Sequence, residues 1–594
     1  MTTVRTLRML ALVSSLLLTM SQAASGTSRG DEQQDKRRPT RAGTHPFAAA
    51  ISAADLQFAD PDRQLGYGSP KQAHLVAEHV AAISTDLRRY LEPSPDHPMY
   101  AGGVVLAARH GVIAVHDAAG KAVRYADTDT ELPPGQQVPA RKDTIFDLAS
   151  VTKTFTSIAV MQQVERGRID LDEPVATYLP DFAQHGKGDI TVQQLLTHTG
   201  DLPAWIPLYS RYDTIQERLA AVVAIAPTAA PGERYLYSDL GMITLGLVVE
   251  QVTGKTLDVV IADQITKPLG MHDTMFNPPA SMLDRVAATE AEPWAGRPMI
   301  RGEVHDENAW SLGGIAGHAG LFSTAHDLAV LAQTLLNGGR YGDHRILDAH
   351  TVRAMISNEN TEFPGNSHGL GFELDQRSYM DALASPMTFG HTGFTGTSLV
   401  VDPMSDAFVI LLTNRVHPSR DWGSNNGARR AVAQDLSRAV AVKPAEGSDA
   451  WFSGLGDSRS ASLTLPITAT SGGPTTAGFS LWYDTEVGYD LATFETSSDG
   501  GQAWNQVPFT LRSGGQRTST DGQVSGFGGR VWYHAKAVLD LRAGEQLLRW
   551  RYDTDELLQG RGVYVDAVRV FDAIGQRLDD SRRFGADGWR LSSD

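Results

Sequence analysis

Residues 150 to 167 read SVTKTFTSIAVMQQVERG, and this stretch indicates both a helix and a reactive group. Apolar residues recur at helical spacing until Gly167, which predicts an amphipathic helix that begins at Ser150. Residues three apart share a helix face, so the Lys153 amine is expected beside the Ser150 hydroxyl. Burial and the positive end of the helix both disfavour the ammonium form, and a neutral amine could accept the serine proton. The four residues from Ser150 to Lys153 therefore suit a nucleophile for acyl transfer.

Two further motifs follow the Ser150–Lys153 motif along the chain. Tyr237-Ser238-Asp239 follows a Pro-Gly turn, and GHTGF at residues 390–394 precedes an apolar run. The order Ser-x-x-Lys, Tyr-x-Asn, Lys-Thr-Gly is typical of serine β-lactamases and penicillin-binding proteins. The chain resembles that superfamily over about residues 95–435. It is most similar to the branch that contains class C β-lactamases, DD-peptidases, D-aminopeptidases and family VIII esterases, and passages such as VHDENAW at residues 304–310 share the resemblance.

The resemblance implies a role for each matching residue. Ser150 would attack the carbonyl group and form an acyl-enzyme, while Lys153 would accept or relay its proton. Tyr237 would protonate the leaving group and help to activate water. The backbone N–H groups of Ser150 and Phe394 would hold the oxyanion, and Gly393 would let the substrate approach the strand. The sequence leaves open whether Lys153 or Tyr237 is the base.

Two positions depart from the superfamily's pattern. Asp239 replaces asparagine, which removes an amide donor and adds a negative charge that could pair with Lys153. His391 replaces lysine, and with an unperturbed pKa near 6.5 it is mostly neutral at pH 7, so its attraction for a substrate carboxylate should be weaker. His318 lies among glycines in a loop that could line the cleft, although such histidines often serve packing. The predicted substrate-binding residues are Asp239, His391, Thr392, Gly393, Phe394 and His318.

Length and composition limit the class of protein. A chain of 594 residues with 41% hydrophobic content should form two or more domains. The formal charge of −17 argues against nucleic acid or an anionic membrane as a partner. The absence of cysteine excludes disulfides, thiol catalysis and Cys-ligated zinc. Neither a cofactor nor a catalytic metal is expected, and the expected partner is a small molecule or peptide with a scissile acyl bond.

The first residues predict export. Arg5 and Arg8 precede an apolar stretch that ends at Met20, and small residues follow up to Ala23. This pattern predicts a signal peptide over residues 1–23 and a secreted protein. The apolar run is shorter than the roughly 20 residues that a bilayer requires, so no transmembrane segment is expected after cleavage. Residues 24–44 are polar and aperiodic, which predicts a disordered linker.

The next 400 residues predict an α+β domain over residues 45–440. We expect a helix over 75–91 and one buried strand over 102–116, with further strands after residue 370. Together these indicate an antiparallel sheet flanked by helices, with an inserted helical subdomain, as in β-lactamases and DD-peptidases. The further helices are expected over 150–166, 190–197, 214–225, 240–253, 256–267 and 325–337.

A composition shift near residue 440 predicts a linker over 441–450 and an all-β domain over 451–594. Leu548, Trp550 and Tyr552 alternate with arginines, as in a half-buried strand. The domain resembles the jelly-roll module of immune-inhibitor-type peptidases. Contact with cell wall or glycan, or a purely stabilising role, would suit it, and oxygen ligands for calcium are an alternative use of its aspartates. The candidate ligands are Asp484, Asp490 and Asp566.

Three functions fit these observations. The first is an exported serine hydrolase that acts through an acyl-enzyme on D-amino-acid peptides, like a D-alanyl-D-alanine carboxypeptidase, or on small esters. The second is a class C-type β-lactamase, which would use the same serine. The third is a non-catalytic protein that binds peptide or cell wall. The presence of Ser150, Lys153 and Tyr237 favours a catalytic protein.

Overall fold

A computed structural model describes residues 53–594. The predicted signal peptide over residues 1–23 and the linker over 24–44 lie outside the described residues. Within 53–594, no helix is both long and apolar enough to cross a bilayer. The chain forms an α+β domain whose last helix ends at Ala439 and an all-β domain whose first strand begins at Ala450.

The first domain is organised around one large sheet. The strands in chain order are β1 (Gly66–Tyr67), β2 (Gly102–Arg109), β3 (Val112–Val123), β4 (Val138–Pro139), β5 (Phe146–Asp147), β6 (Met275–Phe276), β7 (Ala288–Glu292), β8 (Arg297–Arg301), β9 (Leu321–Ser323), β10 (Arg340–Tyr341), β11 (His344–Arg345), β12 (Glu373–Leu374), β13 (Phe389–Gly393), β14 (Thr397–Asp402) and β15 (Ala407–Thr413). The large sheet has the order β1-β3-β2-β15-β14-β13-β12, with β4 paired to β3. Its pairs are antiparallel except β1 with β3.

Helices cover both faces of this sheet. They are α1 (Ala77–Arg89), α2 (Thr152–Glu165), α3 (Val175–Tyr178), α4 (Val192–Leu196), α5 (Leu208–Arg211), α6 (Ile215–Ala224), α7 (Asp239–Thr253), α8 (Leu257–Ile261), α9 (Glu307–Ser311), α10 (Ala325–Leu336), α11 (Ala349–Met355), α12 (Arg377–Met380) and α13 (Asn426–Ala439). In β2, Val104 and Leu106 join the core under α2 and α10, while Val105 and Ala107 join the core under α1 and α13. A strand buried on both faces reads as a continuous apolar run, which explains its sequence.

Two predicted elements differ from the structure. The strand expected over residues 102–116 is a hairpin, because His110 and Gly111 both adopt positive φ and turn the chain between β2 and β3. The helix expected to begin at Ser150 begins at Thr152, after a short 3₁₀ turn over Ala149–Val151. Residues 152–163 are all buried, so α2 is a central helix and not an amphipathic one. Neighbouring elements pack around α2, so residues 152–163 have no face toward solvent.

The second domain is a β-sandwich. Its strands are β16 (Ala450–Phe452), β17 (Ser460–Ala469), β18 (Gly473–Asp484), β19 (Leu491–Ser497), β20 (Asn505–Gln506), β21 (Phe509–Ser513), β22 (Gln516–Ser519), β23 (Gln523–Val524), β24 (Tyr533–Leu541), β25 (Gly544–Asp553), β26 (Gly562–Phe571), β27 (Gly585–Asp587) and β28 (Arg590–Ser592). One sheet has the order β22-β21-β24-β18-β26-β16-β28, and the other β20-β19-β25-β17-β27 with β23 on β19. Leu548, Trp550 and Tyr552 point into the core between them, which confirms their predicted alternation.

The alternative that the aspartates of this domain bind calcium finds no support in their contacts. Asp484 lies between the guanidinium groups of Arg530 and Arg377, at 3.4 and 3.7 Å. Asp566 accepts the backbone N–H of Glu446 in the linker at 2.8 Å. Asp490 instead approaches Glu486 and Asp555, two carboxylates that sequence reasoning did not select. The three predicted ligands therefore do not share a site.

Buried polar contacts join the two domains. Arg530 of the sandwich reaches the first domain, where it binds the Asp402 carboxylate and donates to the Ser405 hydroxyl at 2.9 Å and to the Leu383 carbonyl at 3.0 Å. Its side chain is 6% exposed. Arg377 of the first domain approaches Asp484 of the second in return. The sandwich is therefore packed against the large sheet in one defined arrangement.

Candidate active site

Lys153 lies at the centre of the site. Its Nζ atom donates to Ser150 Oγ at 2.8 Å and to the His318 carbonyl oxygen at 3.1 Å, and it lies 2.8 Å from Asp239 Oδ1. The lysine side chain is 1% exposed. An ammonium group has three protons, and it meets two oxygen acceptors and one carboxylate here. These contacts favour the ammonium form over the neutral amine expected from the sequence.

Asp239 lies beside Lys153. It begins α7, and its carboxylate pairs with Lys153 while only 10% of the side chain is exposed. Its negative charge therefore compensates the positive charge of Lys153. The pairing with Lys153 that the sequence suggested is confirmed, whereas the binding of substrate by Asp239 stays a prediction.

A buried carboxylate holds the turn before Ser150. Ala149 has a φ of +46°, in a region that residues with side chains rarely adopt. Asp147 Oδ1 accepts the N–H of Ala149 at 2.8 Å, and Asp147 Oδ2 accepts the N–H of His305 at 2.7 Å. Burial raises the pKa of Asp147. The two hydrogen bonds stabilise the turn that presents half-buried Ser150 at the start of α2.

Tyr237 enters the site from the segment before α7. Its ring centroid lies 4.8 Å from Lys153 Nζ, and its ring packs against His198 with centroids 4.6 Å apart. His198 Nδ1 accepts the N–H of Ser238 at 3.2 Å, and the Ser238 hydroxyl caps α7. This cap and this ring contact hold Tyr237 beside the Ser150–Lys153 pair, as the motifs predict.

Strand β13 brings His391 and Thr392 to the same site. His391 is 2% exposed, and its Nδ1 lies 2.7 Å from the Thr392 carbonyl oxygen, so Nδ1 is the protonated nitrogen. Within the described residues, Nε2 has no hydrogen-bond partner. Burial, reinforced by the charge of Lys153, lowers the pKa of His391 to about 3. His391 is thus neutral and buried. Its imidazole is not exposed for the contact with substrate that the sequence predicted.

The end of β13 lies against the turn before Ser150. A Cβ atom on Gly393 would come within 2.3 Å of the Leu148 carbonyl oxygen and 2.1 Å of Thr397 Oγ1. The protein's own backbone therefore requires a glycine at position 393, and the room it makes for substrate stays a prediction. Thr397 donates to the same Leu148 oxygen at 2.9 Å and joins β14 to the turn.

Phe394 follows β13 and offers its backbone N–H at this junction. Gly393, the residue before it, lies against the Leu148 carbonyl of the turn that leads to Ser150. Two backbone donors near a nucleophile are the arrangement that an oxyanion needs. The assignment of the N–H groups of Ser150 and Phe394 to an oxyanion site stays a prediction.

His318 does not line the cleft. Its side chain is 1% exposed and its Nε2 lies 2.9 Å from Asp306 Oδ1. The charge and hydrogen bond of His318 outweigh burial and lower the pKa of Asp306. His318 contacts the reactive residues through its backbone carbonyl, which accepts from Lys153, and its contact with substrate stays a prediction.

A cluster of charged residues lies behind Phe394, and sequence reasoning missed it. Arg420 donates to Glu290 Oε2 at 2.7 Å, to Glu292 Oε1 at 2.9 Å and to Glu307 Oε1 at 2.9 Å. The guanidinium lies over the Phe394 ring at 5.5 Å. The sequence offered one indication of this cluster, the acidic pair Asp306-Glu307 in VHDENAW. That passage shares the resemblance to the superfamily, but the sequence alone assigned it no role.

The same cluster contains a group with metal-ligand geometry. Ligand atoms of Glu290, Glu292 and His305 lie within 4.8 Å of one another, and all three residues are buried. Arg420 and Arg297 already neutralise the two carboxylates, at 2.7 Å and 2.9 Å. Burial raises the pKa of Glu292 to about 7. Guanidinium groups therefore already pair with the carboxylates that would bind a metal ion.

The fold and the site together define a class of protein. A sheet with helices on both faces places a serine, a buried lysine, a tyrosine and a His-Thr-Gly strand around one point, as serine hydrolases of the penicillin-binding type do. Residues 87–434 match the family model described as Beta-lactamase, and the chain belongs to that family. The resemblance and the fold class expected from the sequence are confirmed.

Known relatives match a similar share of the chain. A protein of Escherichia coli K12 named "Putative D-alanyl-D-alanine carboxypeptidase" is 34% identical over 345 residues, which are 53% of this chain and 78% of that protein. A protein of the same name from Salmonella agona SL483 is 35% identical, with the same coverage. The crystal structure of a penicillin-binding protein homologue from Caulobacter crescentus has 22% identity and a TM-score of 0.49, and covers 61% of this chain and 98% of that one.

The second domain has its own match. Residues 422–585 correspond to the model described as Immune inhibitor A-like, MAM domain. This agrees with the predicted resemblance to the modules of immune-inhibitor-type peptidases. The chain is therefore a serine hydrolase of the Beta-lactamase family that carries a MAM-type sandwich after its catalytic fold.

Proposed function

We propose that the protein cleaves acyl bonds through a covalent intermediate on Ser150. The serine oxygen attacks the carbonyl carbon while its proton passes to Tyr237 in its phenolate form, and the Lys153 ammonium orients the hydroxyl and stabilises the developing alkoxide. The N–H groups of Ser150 and Phe394 hold the oxyanion. Tyr237 gives that proton to the leaving group as its bond to the carbonyl carbon breaks, and the phenolate is formed again. The phenolate then takes a proton from water, whose oxygen attacks the acyl-enzyme, and Tyr237 returns the proton to Ser150 Oγ as the acid leaves. The observation that supports this proposal most directly is the 2.8 Å hydrogen bond from Lys153 Nζ to Ser150 Oγ.

The substrates we propose are D-amino-acid peptides or small esters. The names of the enterobacterial relatives support a peptide with D-alanine. The neutral state of His391 lowers the expectation for a β-lactamase in the strict sense, because β-lactams carry a carboxylate that a lysine at this position would attract. A second candidate, capture of peptide without turnover, loses support from the contact between Ser150 and Lys153.

Intact-mass spectrometry after exposure to a fluorophosphonate and to a penicillin tests the proposal. The wild-type protein should gain the mass of one adduct, Ser150→Ala should gain none, and Ser210→Ala, which alters an exposed serine, should behave like wild type. Labelling by the fluorophosphonate alone favours the esterase, and labelling by both favours the peptidase. No adduct with either reagent would refute the acyl-enzyme.

Export is also proposed, on the basis of the charged and apolar pattern of residues 1–23. The mature protein should begin after Ala23 and appear outside the cytoplasm. N-terminal sequencing of protein from the culture medium and cell fractions tests this. An intact N-terminus on protein that stays in the cytoplasm would contradict it.

For the sandwich we propose contact with an anionic polymer of the cell wall. Arg512 of β21 lies directly opposite Arg517 of β22 and His534 of β24, and all three are exposed. Like charges directly opposite each other destabilise a sheet, so this exposed arginine pair favours an anionic partner locally, although the net charge of −17 opposes one at long range. The full chain should sediment with cell-wall material at low salt, and the double variant Arg512→Ser, Arg517→Ser should lose this. Equal sedimentation of both would refute it.

A further inference from the structure

The cations around the acyl-transfer site are all engaged by the protein itself. Arg429 donates to the Gly393 carbonyl at 2.7 Å, the Thr397 carbonyl at 3.0 Å and Asn426 Oδ1 at 2.7 Å, and it is 5% exposed. Its guanidinium therefore braces β13 and β14 from behind. A substrate carboxylate cannot reach a guanidinium that is buried beneath the strand.

Arg415 is committed in the same way. It donates to the Phe394 carbonyl at 2.8 Å and to the Gly423 carbonyl at 2.7 Å, and its guanidinium lies 4.3 Å from the centroid of the Phe394 ring. Only 4% of the residue is exposed. It shapes the segment that carries the Phe394 N–H, but it presents no charge to the cleft.

Arg420 is the most accessible of these cations, with 23% of its side chain exposed. Three glutamates surround it at 2.7 to 2.9 Å, and Arg297 is the other arginine in the cluster. The cations of this cluster are Arg420, Arg297 and His305, and they face Glu290, Glu292, Glu303 and Glu307, so no positive excess remains. An added carboxylate would therefore meet at least as much repulsion as attraction.

The two motif positions complete the pattern. Asp239 neutralises Lys153, and His391 is shielded and has its protonated nitrogen bound to a backbone carbonyl. A lysine at position 391 would add a positive charge at the strand, whereas this histidine adds none. Each cation that contacts Ser150, β13 or Phe394 thus has its charge compensated or buried.

We propose that this site selects acyl substrates that carry no carboxylate beside the scissile bond, namely neutral esters and amides. The inference rests on the proposed acyl-enzyme function and specifies its substrate class. It differs from the activity that the relatives' names describe, since a carboxypeptidase cleaves next to a free carboxylate.

A matched pair of peptides tests this inference on the full-length protein. One is an N-acyl-D-alanyl-D-alanine with a free carboxylate, and the other is its C-terminal amide, with 4-nitrophenyl acetate as a neutral ester. We expect the amide or the ester to be cleaved with a kcat/KM at least equal to that of the acid. A preference for the acid of about tenfold or more would overturn the inference. Turnover of the ester with neither peptide supports it.

Variants of His391 show whether charge is the cause. His391→Lys should shift the ratio of acid to amide towards the acid by about tenfold, and high salt should reduce the shift. His391→Gln, which keeps the position neutral, should leave the ratio unchanged. An acid preference in wild type that persists in His391→Gln would show another carboxylate site and refute the proposal. If Ser150 forms no adduct with any reagent, the proposed function itself fails, and this outcome is distinct from acylation with acid preference.

Discussion

At the scale of single residues, Asp239 and His391 give the site its electrostatic character. The aspartate places a full negative charge 2.8 Å from Lys153, and the histidine leaves β13 without a cation. An anion beside an amine favours the ammonium form. Lys153 is then better suited to orient Ser150 than to accept its proton, which leaves Tyr237 for proton transfer.

Asp239→Asn tests this division of roles. The change keeps the side-chain shape but removes the charge, so the ammonium form of Lys153 loses its partner. We expect acylation to slow by about 10²-fold, because Lys153 is no longer held toward Ser150 by the carboxylate. Stopped-flow acylation by a chromogenic ester measures the rate. The exposed Asp213→Asn serves as the control, and a wild-type rate in Asp239→Asn would contradict the assigned role of the ion pair.

The buried imidazole of His391 should make stability depend on pH. Its pKa is lowered to about 3 from the ordinary 6.5, so between these values the unfolded chain binds a proton that the folded protein does not. Stability is therefore lost as pH falls from 6.5 towards 3, by up to about 1.4 kcal/mol per pH unit. His391→Gln should lose less stability on acidification, as measured by urea unfolding at pH 7.5 and 4.5. Exposed His185→Gln should follow wild type, and equal losses in all three would refute this.

At the scale of elements, the site depends on a junction between α2, β13 and β14. Asp147 binds the N–H groups on both sides of it, at Ala149 and His305. Thr397 donates a hydrogen bond to the Leu148 carbonyl oxygen, and Gly393 packs directly against the same oxygen. The serine, the strand edge and the VHDENAW segment are thus held by one small set of backbone contacts.

Asp147→Asn should weaken this junction. Both carboxylate oxygens accept backbone N–H groups, whereas an amide offers one oxygen and a donor that faces an N–H. The loss of a buried hydrogen bond should reduce the free energy of unfolding by about 1 to 3 kcal/mol and slow acylation of Ser150. Thermal unfolding and the fluorophosphonate labelling rate measure the two effects. Exposed Asp189→Asn should leave both unchanged, and a wild-type labelling rate in Asp147→Asn would show that the turn needs no such support.

At the scale of the whole molecule, the sandwich is fixed to the catalytic fold by Arg530. Asp402 at the end of β14 and Asp484 of the sandwich both pair with it, and all three side chains are buried. Burial alone would lower the pKa of Arg530, but the two carboxylates raise it. The two domains should therefore unfold together.

Arg530→Met tests this coupling. It keeps side-chain length but leaves Asp402 and Asp484 as buried charges with one partner fewer, which should cost about 3 to 5 kcal/mol. Differential scanning calorimetry should show a lower transition temperature and two separate transitions. Arg512→Met, which alters an exposed arginine of the same domain, should leave a single transition. An unchanged thermogram for Arg530→Met would show that the interface does not couple the domains.

Much of the architecture was predictable because it follows from local pattern. The spacing after Ser150 predicted a helix, the alternation from Leu548 to Tyr552 predicted a half-buried strand, and the composition shift near residue 440 predicted a second kind of domain. The three motifs identified Ser150, Lys153 and Tyr237 by their order along the chain. These signals lie within short segments, so no knowledge of distant contacts was required.

By itself, then, the sequence determined the family and the two kinds of domain, and it selected the three residues for which we propose the chemistry. Only the tertiary structure decided that Lys153 pairs with Asp239, that His391 is neutral and shielded, and that Gly393 is required by Leu148. It also revealed Asp147 and the cluster around Arg420, and it turned the strand expected over 102–116 into a hairpin. The physical reason is that charge state and steric space depend on groups that meet from distant parts of the chain. Burial and the distances between those groups set their electrostatics, and neither can be read from one segment.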